Sequence, residues 1–147
     1  MEVYLLAMQI AGELISWNKE NNEGVVFGSS TGFTLPDSSI RSPDVAYVSK
    51  KNWSALTSEE KSKFAPVVPV FLVEVMSPSD ALKNLQTKMT HWMDNGVQLG
   101  WLIDPTNEKA YIYTPASITK IVEDFDTTLH GSPTLPGFTF PLSLLRD

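Results

Sequence analysis

The sequence predicts an α/β fold, a central mixed β-sheet flanked by helices, and two apolar stretches carry that prediction. Residues 70–75 are almost all β-branched or aromatic, which is typical of a strand covered on both faces. A helix-like run follows and ends at Asn95-Gly96, after which a second strand-like run extends from Leu99 to Asp104. A strand-helix-strand unit of this kind makes its two strands parallel neighbours.

The helix between these strands is marked at both ends. Ser77 is a capping residue, Pro78 suits the first helical position, and Asp80 stands three residues after the cap. Lys88 lies at the border of the apolar stripe, so its ammonium can reach nearby carboxylates while its stem covers apolar surface. Lys83 lies on the opposite flank and is interpreted as solvated. At ~100° per residue the apolar stripe contains Leu82, Leu85, Met89, Trp92 and Met93.

The first half of the chain is predicted to add a helix, two short strands and a polar surface segment. Helical spacing runs from Val3 to about Asn21, through Leu5, Leu6, Ile10, Leu14 and Trp17. Residues 25–27 and 33–35 are interpreted as a hairpin around the serine-rich turn 29–32. Residues 50–66 predict one or two short surface helices.

The second half is predicted to complete the sheet. Residues 99–104 and 109–114 form a strand pair across the turn 105–108, and residues 118–122 add another strand. The Leu-Pro-Gly-Phe stretch at 135–138 is expected to pack the end of the chain back on the sheet.

Glu74 is the one acidic residue inside the apolar run 70–75. A buried, ionised carboxylate costs several kcal/mol unless it is paired or binds a cation. The candidate partner is Asp44, which follows Pro43 and opens a second strand-like run at 44–48. Two carboxylates on neighbouring strands repel each other, and the usual relief is a shared proton or a bound divalent metal.

Several ordered blocks resemble the Uma2 family, a former domain of unknown function placed in the PD-(D/E)XK nuclease superfamily. The resemblance spans about residues 14–144 and implies a restriction-endonuclease-like fold and a nuclease activity. Members commonly carry a further segment before the first helix, so we expect any site residue from that segment to lie outside this sequence. The blocks are G-V-V-F-x-S-S-T-G-F-T-L-P (24–36), R-S-P-D (41–44), E-V-x-S-P-S-D (74–80), K-M (88–89), N-G-V-Q-L-G-W-L-I-D-P (95–105) and L-P-G-F (135–138).

The resemblance also suggests how the candidate site residues act. In the superfamily motif a lysine stands two residues after the glutamate, but that position holds Met76, so the resemblance assigns the lysine role to Lys88. Asp44 and Glu74, with the backbone carbonyl of Val75, would hold Mg²⁺ or Mn²⁺ through oxygen ligands. Lys88 would orient the attacking water or stabilise developing negative charge.

Two further residues are weaker site candidates. Glu13 in the first helix could supply a third acidic ligand, although helical glutamates more often face water. Gln98 could also touch the site, although loop packing explains its position equally well.

Composition bounds the function further. The 147 residues, 42% of them hydrophobic, suit one nuclease-like domain over residues 1–147. No apolar run suggests a membrane span and no signal peptide is evident, so we expect a soluble, cytoplasmic protein, in agreement with the absence of cysteine. With only His91 and His130, a histidine-rich metal site is not expected.

The charge of the chain opposes strong nucleic-acid binding. The formal net charge is −6, whereas affinity for phosphates comes mainly from lysine and arginine. A basic edge is still conceivable from five cations in one third of the chain: Arg41, Lys50, Lys51, Lys61 and Lys63.

Three function classes follow from the sequence. The first is a Mg²⁺- or Mn²⁺-dependent endonuclease acting on DNA, and the second is an inactive binding or structural module, with a homodimer suggested by four tryptophans and an apolar tail. The third, a glycosidase using Asp44 and Glu74 as its acid and base, lacks any sign of a sugar site.

Overall fold

The chain folds into a mixed α/β structure, as the sequence predicts, with one helix at its start and another between two central strands. The computed structural model describes residues 2–146, apart from the side chains of residues 117 and 119. The helices are α1 (Val3–Asn21), α2 (Lys50–Ser54), α3 (Ser58–Ser62), α4 (Leu82–Asp94) and a final 3-10 turn (Leu142–Leu145). The strands are β1 (Gly24–Gly28), β2 (Phe33–Thr34), β3 (Ile40–Arg41), β4 (Val45–Ser49), β5 (Phe71–Val75), β6 (Leu99–Asp104), β7 (Lys109–Thr114), β8 (Ser117–Val122), β9 (Thr128–His130) and β10 (Thr139–Pro141).

The main sheet has six strands in the order β1-β4-β5-β6-β7-β8. Strands β5 and β6 are parallel neighbours, and the other neighbouring pairs in this sheet are antiparallel. The strand-helix-strand prediction is therefore confirmed, because α4 connects these two strands as a crossover.

The two faces of the sheet are covered by different helices. Helix α1 buries Leu6, Ile10 and Leu14 in the cluster that also holds Val73 and Val75. Helix α4 buries Met89, Trp92 and Met93 in the opposite cluster, together with Leu72 and Leu102. Since side chains alternate along a strand, Glu74 points to the same face as Leu72, toward α4.

The elements predicted for the second half of the chain are confirmed. Strands β6 and β7 pair across the turn, and β8 extends the sheet. Leu135 and Phe138 are buried in the α1 cluster, and the Trp17 indole N–H donates to the Pro136 carbonyl at 2.9 Å. In the first half of the chain, the predicted surface segment 50–66 contains α2 and α3, and the Thr57 and Glu60 side chains form a capping box at the start of α3.

The helix predicted from Val3 to about Asn21 is confirmed, whereas the hairpin predicted after it is wrong. Strand β1 pairs with β4, and β2 pairs with β3, so residues 25–27 and 33–35 do not form a hairpin with each other. Leu5 belongs to the outer side of α1, where it is 42% exposed, and Ala7 is buried in its place. Within residues 2–146, no helix combines the length and apolar character needed to cross a bilayer.

Helix α4 also begins later than predicted. Its cap is Ala81, whereas residues 77–80 form a turn in which the Ser77 backbone N–H and hydroxyl both donate to Asp80 Oδ2 at 2.9 Å. The Asp80 carboxylate therefore accepts from the Ser77 N–H as in a capping box, but within a turn that precedes the helix, and the Asp80 N–H donates to the Ser77 carbonyl at 3.0 Å. The helix ends as predicted, at Asn95 followed by Gly96 with φ +109°.

Two glycine substitutions test this packing. A Cβ on Gly24 would lie 2.6 Å from the Val48 carbonyl oxygen and against the Tyr47 ring, so Gly24→Ala should lower the free energy of unfolding by ~1–3 kcal/mol. Gly12→Ala, on the open face of α1, should instead raise it by ~0.5–1 kcal/mol, because a Cβ there meets no atom within 4 Å. Urea unfolding measures both, and equal effects would contradict the pairing of β1 with β4.

Candidate metal centre

Glu74 lies on β5, and Asp44 immediately precedes the neighbouring strand β4. Strands β4 and β5 are antiparallel with Val45 opposite Val73. Continuing this register by one residue on each strand places Asp44 opposite Glu74, and directly opposite residues share a face of the sheet. Asp44 Oδ2 accepts a hydrogen bond from the Val75 N–H at 2.7 Å, so its carboxylate adjoins the β5 backbone.

Glu74 is buried, and helix α4 supplies two partners for its carboxylate. Its side chain is 4% exposed, and the Lys88 ammonium lies 2.8 Å from Oε2. The Trp92 indole N–H donates to the same oxygen at 3.1 Å. Lys88 and Trp92 lie on one face of α4 because they are four residues apart. The structure therefore brings Lys88 to Glu74 from the helix that follows the strand.

Burial dominates the electrostatics of both carboxyl groups. It raises the pKa of Glu74, the nearby Asp44 charge adds to the rise, and Lys88 and Trp92 oppose it. Burial also raises the pKa of Asp44, with Asp80 adding to the rise and the Val75 N–H and Lys88 opposing it. Although Lys88 is in direct contact with Glu74, one ammonium does not offset the burial of two acids.

The Asp80 carboxylate is the neighbour that the sequence did not assign to the site. Its charge acts on Asp44 because the turn 77–80 brings it close to the end of β5. The serine-proline-serine-aspartate pattern predicts the start of a helix and does not indicate that Asp80 lies near Asp44.

Three other residues considered from the sequence do not join the pair. Across residues 2–146 no group of three or more His, Cys, Asp or Glu has metal-binding geometry, so Glu13, half-buried on α1, does not complete a cluster. Gln98 is exposed beside Val70, at the opposite end of β5 from Glu74, and its amide donates to the Gly96 carbonyl at 3.2 Å. The Met76 N–H continues the sheet by donating to the Ile103 carbonyl at 2.8 Å.

A second polar chain fixes α4 against the segment that leads to Asp44. Arg41 Nε donates to His91 Nδ1 at 2.9 Å, and His91 Nε2 lies 2.6 Å from Asp37 Oδ2. Because Nδ1 accepts from Arg41, the proton of the neutral ring is on Nε2 and points to Asp37. Hydrogen bonds from Ser39, His91 and Asn95 hold the pKa of Asp37 below its usual range. No pattern in the sequence predicts these hydrogen bonds between Arg41, His91 and Asp37.

The mixed sheet, the crossover helix and the paired acids on adjacent strands define a nuclease-like α/β protein of the restriction-endonuclease type. The Uma2 family model, described as "Putative restriction endonuclease", matches residues 5–144. The chain therefore belongs to the Uma2 family, as the sequence blocks predicted.

A solved structure confirms the fold. A "putative nuclease belonging to DUF820" from Anabaena variabilis is similar with a TM-score of 0.78 and 20% sequence identity, over 99% of this chain and 81% of that chain. A cryo-EM structure of a DrdV-DNA complex matches 71% of this chain and 8% of that chain, with 10% identity and a TM-score of 0.45. Among curated proteins, none matches the chain.

The raised pKa values predict a specific dependence of stability on pH. Between its unfolded and folded pKa values, Glu74 binds more proton in the folded state, so metal-free stability should fall as pH rises through that window. Glu74→Gln should remove this component and raise stability at pH 7, since an amide oxygen still accepts from Trp92. Urea unfolding in EDTA across the acidic and neutral range measures the effect.

Glu108→Gln provides a control of opposite sign. Hydrogen bonding to Arg146 lowers the pKa of Glu108, so this group contributes stability above its unfolded pKa and loses it as pH falls. If Glu74→Gln lowers stability at pH 7 in the same way as Glu108→Gln, burial does not dominate at Glu74.

Proposed function

We propose that the protein is a metal-dependent DNA endonuclease in which Asp44, Glu74 and the Val75 carbonyl hold Mg²⁺ or Mn²⁺. The main support for this proposal is the position of the Lys88 ammonium, 2.8 Å from the buried carboxylate of Glu74, which lies opposite Asp44. The Uma2 family and the fold of the DUF820 nuclease support the same class of activity.

The oxygen donors suit a hard divalent cation. Asp44 and Glu74 contribute carboxylates whose raised pKa values reflect burial without enough positive charge. The Val75 N–H points to the Asp44 side of β5, and in a strand the N–H and C=O of one residue face the same neighbour. The Val75 carbonyl is therefore available on the side where Asp44 lies.

Lys88 takes the role that a strand lysine has in the superfamily motif. When bound, the metal ion supplies Lewis acidity toward a phosphate oxygen and lowers the pKa of a coordinated water. Lys88 approaches from α4, holds its charge beside Glu74 and is 26% exposed, so its ammonium can orient a water or stabilise negative charge on a phosphate.

The alternative is a binding or structural module that keeps the fold without catalysis. Two contacts favour it: Lys88 already pairs with Glu74, and the Val75 N–H already occupies one oxygen of Asp44. Both acids thus have partners within the chain. Metal binding and cleavage, measured separately, distinguish the two functions.

We also propose that residues 1–147 work as one domain in the cytoplasm, which the lack of cysteine supports. Homodimerisation stays a prediction with weaker support, because Trp92 and Trp101 are fully buried and Trp17 and Trp53 pack against their own chain. Leu142 and Leu145 of the apolar tail are buried as well.

Metal binding should stabilise the wild-type protein. Mg²⁺ or Mn²⁺ that binds only the folded state raises the melting temperature by mass action, in proportion to the logarithm of its concentration above Kd. Glu74→Gln should abolish this rise, whereas Glu13→Gln, on α1, should retain it. A calorimetric scan with and without metal measures the shift in melting temperature. If Glu74→Gln shows the same shift as the wild type, the ion does not bind at Glu74.

Lys88→Gln should remove most Mg²⁺-dependent DNA cleavage. Loss of an electrostatic contact made in the transition state costs ~10²- to 10³-fold in rate. Glutamine keeps a donor for Glu74, whereas Lys88→Ala would also leave a buried carboxylate unpaired and destabilise the fold. Lys83→Gln, exposed on the same helix, is the matched control and should cleave normally.

Cleavage is measured on single-stranded, duplex and branched DNA, with Mn²⁺ binding as a check that each variant keeps its site. Wild-type protein that binds Mn²⁺ but cleaves none of these substrates would establish the module and end the catalytic proposal.

A further inference from the structure

Arg41 contacts helix α4 on the face of the sheet that Glu74 and Lys88 occupy. Its Nε–H donates to His91 Nδ1 at 2.9 Å. His91 lies three residues after Lys88, so the two side chains are neighbours on one face of α4. Arg41 also precedes Asp44 by three residues, which limits the distance between their Cα atoms to about 10 Å. Arg41 is therefore joined to the candidate metal centre both through the chain and through the helix.

The guanidinium of Arg41 has donors that the protein does not use. A guanidinium carries five N–H donors, and the one on Nε is bonded to His91. No hydrogen bond or ion pair within residues 2–146 engages the amino groups Nη1 and Nη2. The buried side-chain nitrogen and oxygen atoms without a partner in this part of the chain are Trp101 Nε1 and Tyr113 Oη, so the Arg41 amino groups are open to solvent.

The positive charge of Arg41 is not neutralised by a carboxylate within residues 2–146. The acceptor that orients it is a neutral imidazole, because the proton of the His91 ring is on Nε2 and points to Asp37. The other arginine of the chain, Arg146, instead pairs with two carboxylates. A neutral acceptor fixes the direction of the Arg41 guanidinium and leaves its charge available to an anion.

An oriented guanidinium that faces solvent suits a phosphate group. Arginine presents two parallel N–H groups to phosphate oxygens, and such charge-assisted bonds are stronger than those between neutral groups. Phosphates of one DNA strand follow each other every ~3.4 Å of helix axis, so the ~10 Å between Arg41 and Asp44 spans about three of them. A strand whose scissile phosphate lies at Asp44 and Glu74 therefore has a further phosphate within reach of Arg41.

We propose that Arg41 binds a backbone phosphate of the DNA within about three nucleotides of the scissile phosphate, and that His91 and Asp37 position its guanidinium. Arg41 is then a substrate-binding residue, and His91 is a positioning residue that acts through it. This assignment rests on the proposed function, because the proposed metal centre defines the scissile phosphate. The contact itself needs no metal ion, since the positive charge is that of Arg41.

The test is DNA binding measured by fluorescence anisotropy, with Lys88→Gln as the background so that cleavage does not interfere. Arg41→Gln should weaken binding of a duplex oligonucleotide by about 10-fold and reduce the slope of log Kd against log salt concentration by about one phosphate contact. Arg41→Lys keeps the charge but loses the parallel N–H pair, so the slope should return while the affinity stays below that of the background. Lys51→Gln removes an exposed cation on α2, at the other end of β4 from Asp44, and should bind normally.

The role of His91 is tested through its acceptor atom. His91→Leu removes the acceptor and leaves the Arg41 charge, so DNA affinity should fall by about 3- to 10-fold while the salt slope stays unchanged. His91→Asn, whose side-chain oxygen accepts near the position of Nδ1, should restore the affinity. Loss of Mn²⁺ binding in both variants, or no recovery in His91→Asn, would overturn the positioning role.

Side-chain ¹⁵N NMR tests the phosphate contact without substituting Arg41. The sequence contains two arginines, so the Lys88→Gln protein should show two Nε–H signals, which Arg146→Lys assigns. The duplex should shift the Arg41 signal and leave that of Arg146, whose amino groups already pair with carboxylates. An unchanged Arg41 signal, binding by Arg41→Gln equal to the background, or an equal loss in Lys51→Gln would overturn the proposal.

Failure of this proposal differs from failure of the proposed function. With Lys88 intact, Arg41→Gln should raise KM for DNA cleavage by about 10-fold with little change in kcat, whereas Lys88→Gln lowers kcat. Cleavage with a KM that is insensitive to Arg41→Gln keeps the nuclease and overturns the phosphate contact. DNA binding that depends on Arg41, without cleavage of any DNA, keeps the phosphate contact and ends the catalytic proposal.

Discussion

The carboxylate of Glu74 is the constraint on which the candidate site depends. It lies in a strand whose five residues are all buried, and an unpaired charge at such a position would cost several kcal/mol. The compensation comes from outside the strand, through the Lys88 ammonium and the Trp92 indole N–H. Helix α4 therefore has two functions. It covers one face of the sheet with apolar side chains, and it supplies the two partners of the buried Glu74 carboxylate.

This double role explains why so much of the central unit could be predicted from the sequence. The apolar stripe of α4 and the β-branched run of β5 encode burial directly, and burial forces an isolated acid to have a partner. The apolar run after Asp44 also predicts a strand beside β5, and the register of that strand sets Asp44 next to Glu74. Short turns such as 105–108 likewise restrict the pairing of β6 and β7 to one antiparallel arrangement.

The mispredicted elements depend on competition between partners that look alike in sequence. Residues 25–27 could pair with 33–35 across a short turn. In the structure β1 instead pairs with β4, whose other neighbour is β5, and β2 pairs with β3. At the start of α4 the same serine and aspartate could cap a helix or close a turn, because such side chains compete for backbone groups in either conformation. Tertiary packing decides which strands pair and which conformation residues 77–80 adopt, and no local sequence pattern indicates the outcome.

In the candidate site the lysine beside Glu74 comes from α4 and not from β5, which has a physical consequence. A lysine two residues after Glu74 would share its strand and keep its distance from the carboxylate whenever the sheet is intact. Lys88 instead keeps its 2.8 Å contact only while α4 is docked against the sheet. Docking depends on the buried Met89 and Trp92, and on His91, which joins α4 to Arg41 in the segment leading to Asp44. The positions of the lysine and of both acids are thus coupled through one helix, so a shift of α4 changes the charge balance of the whole pair.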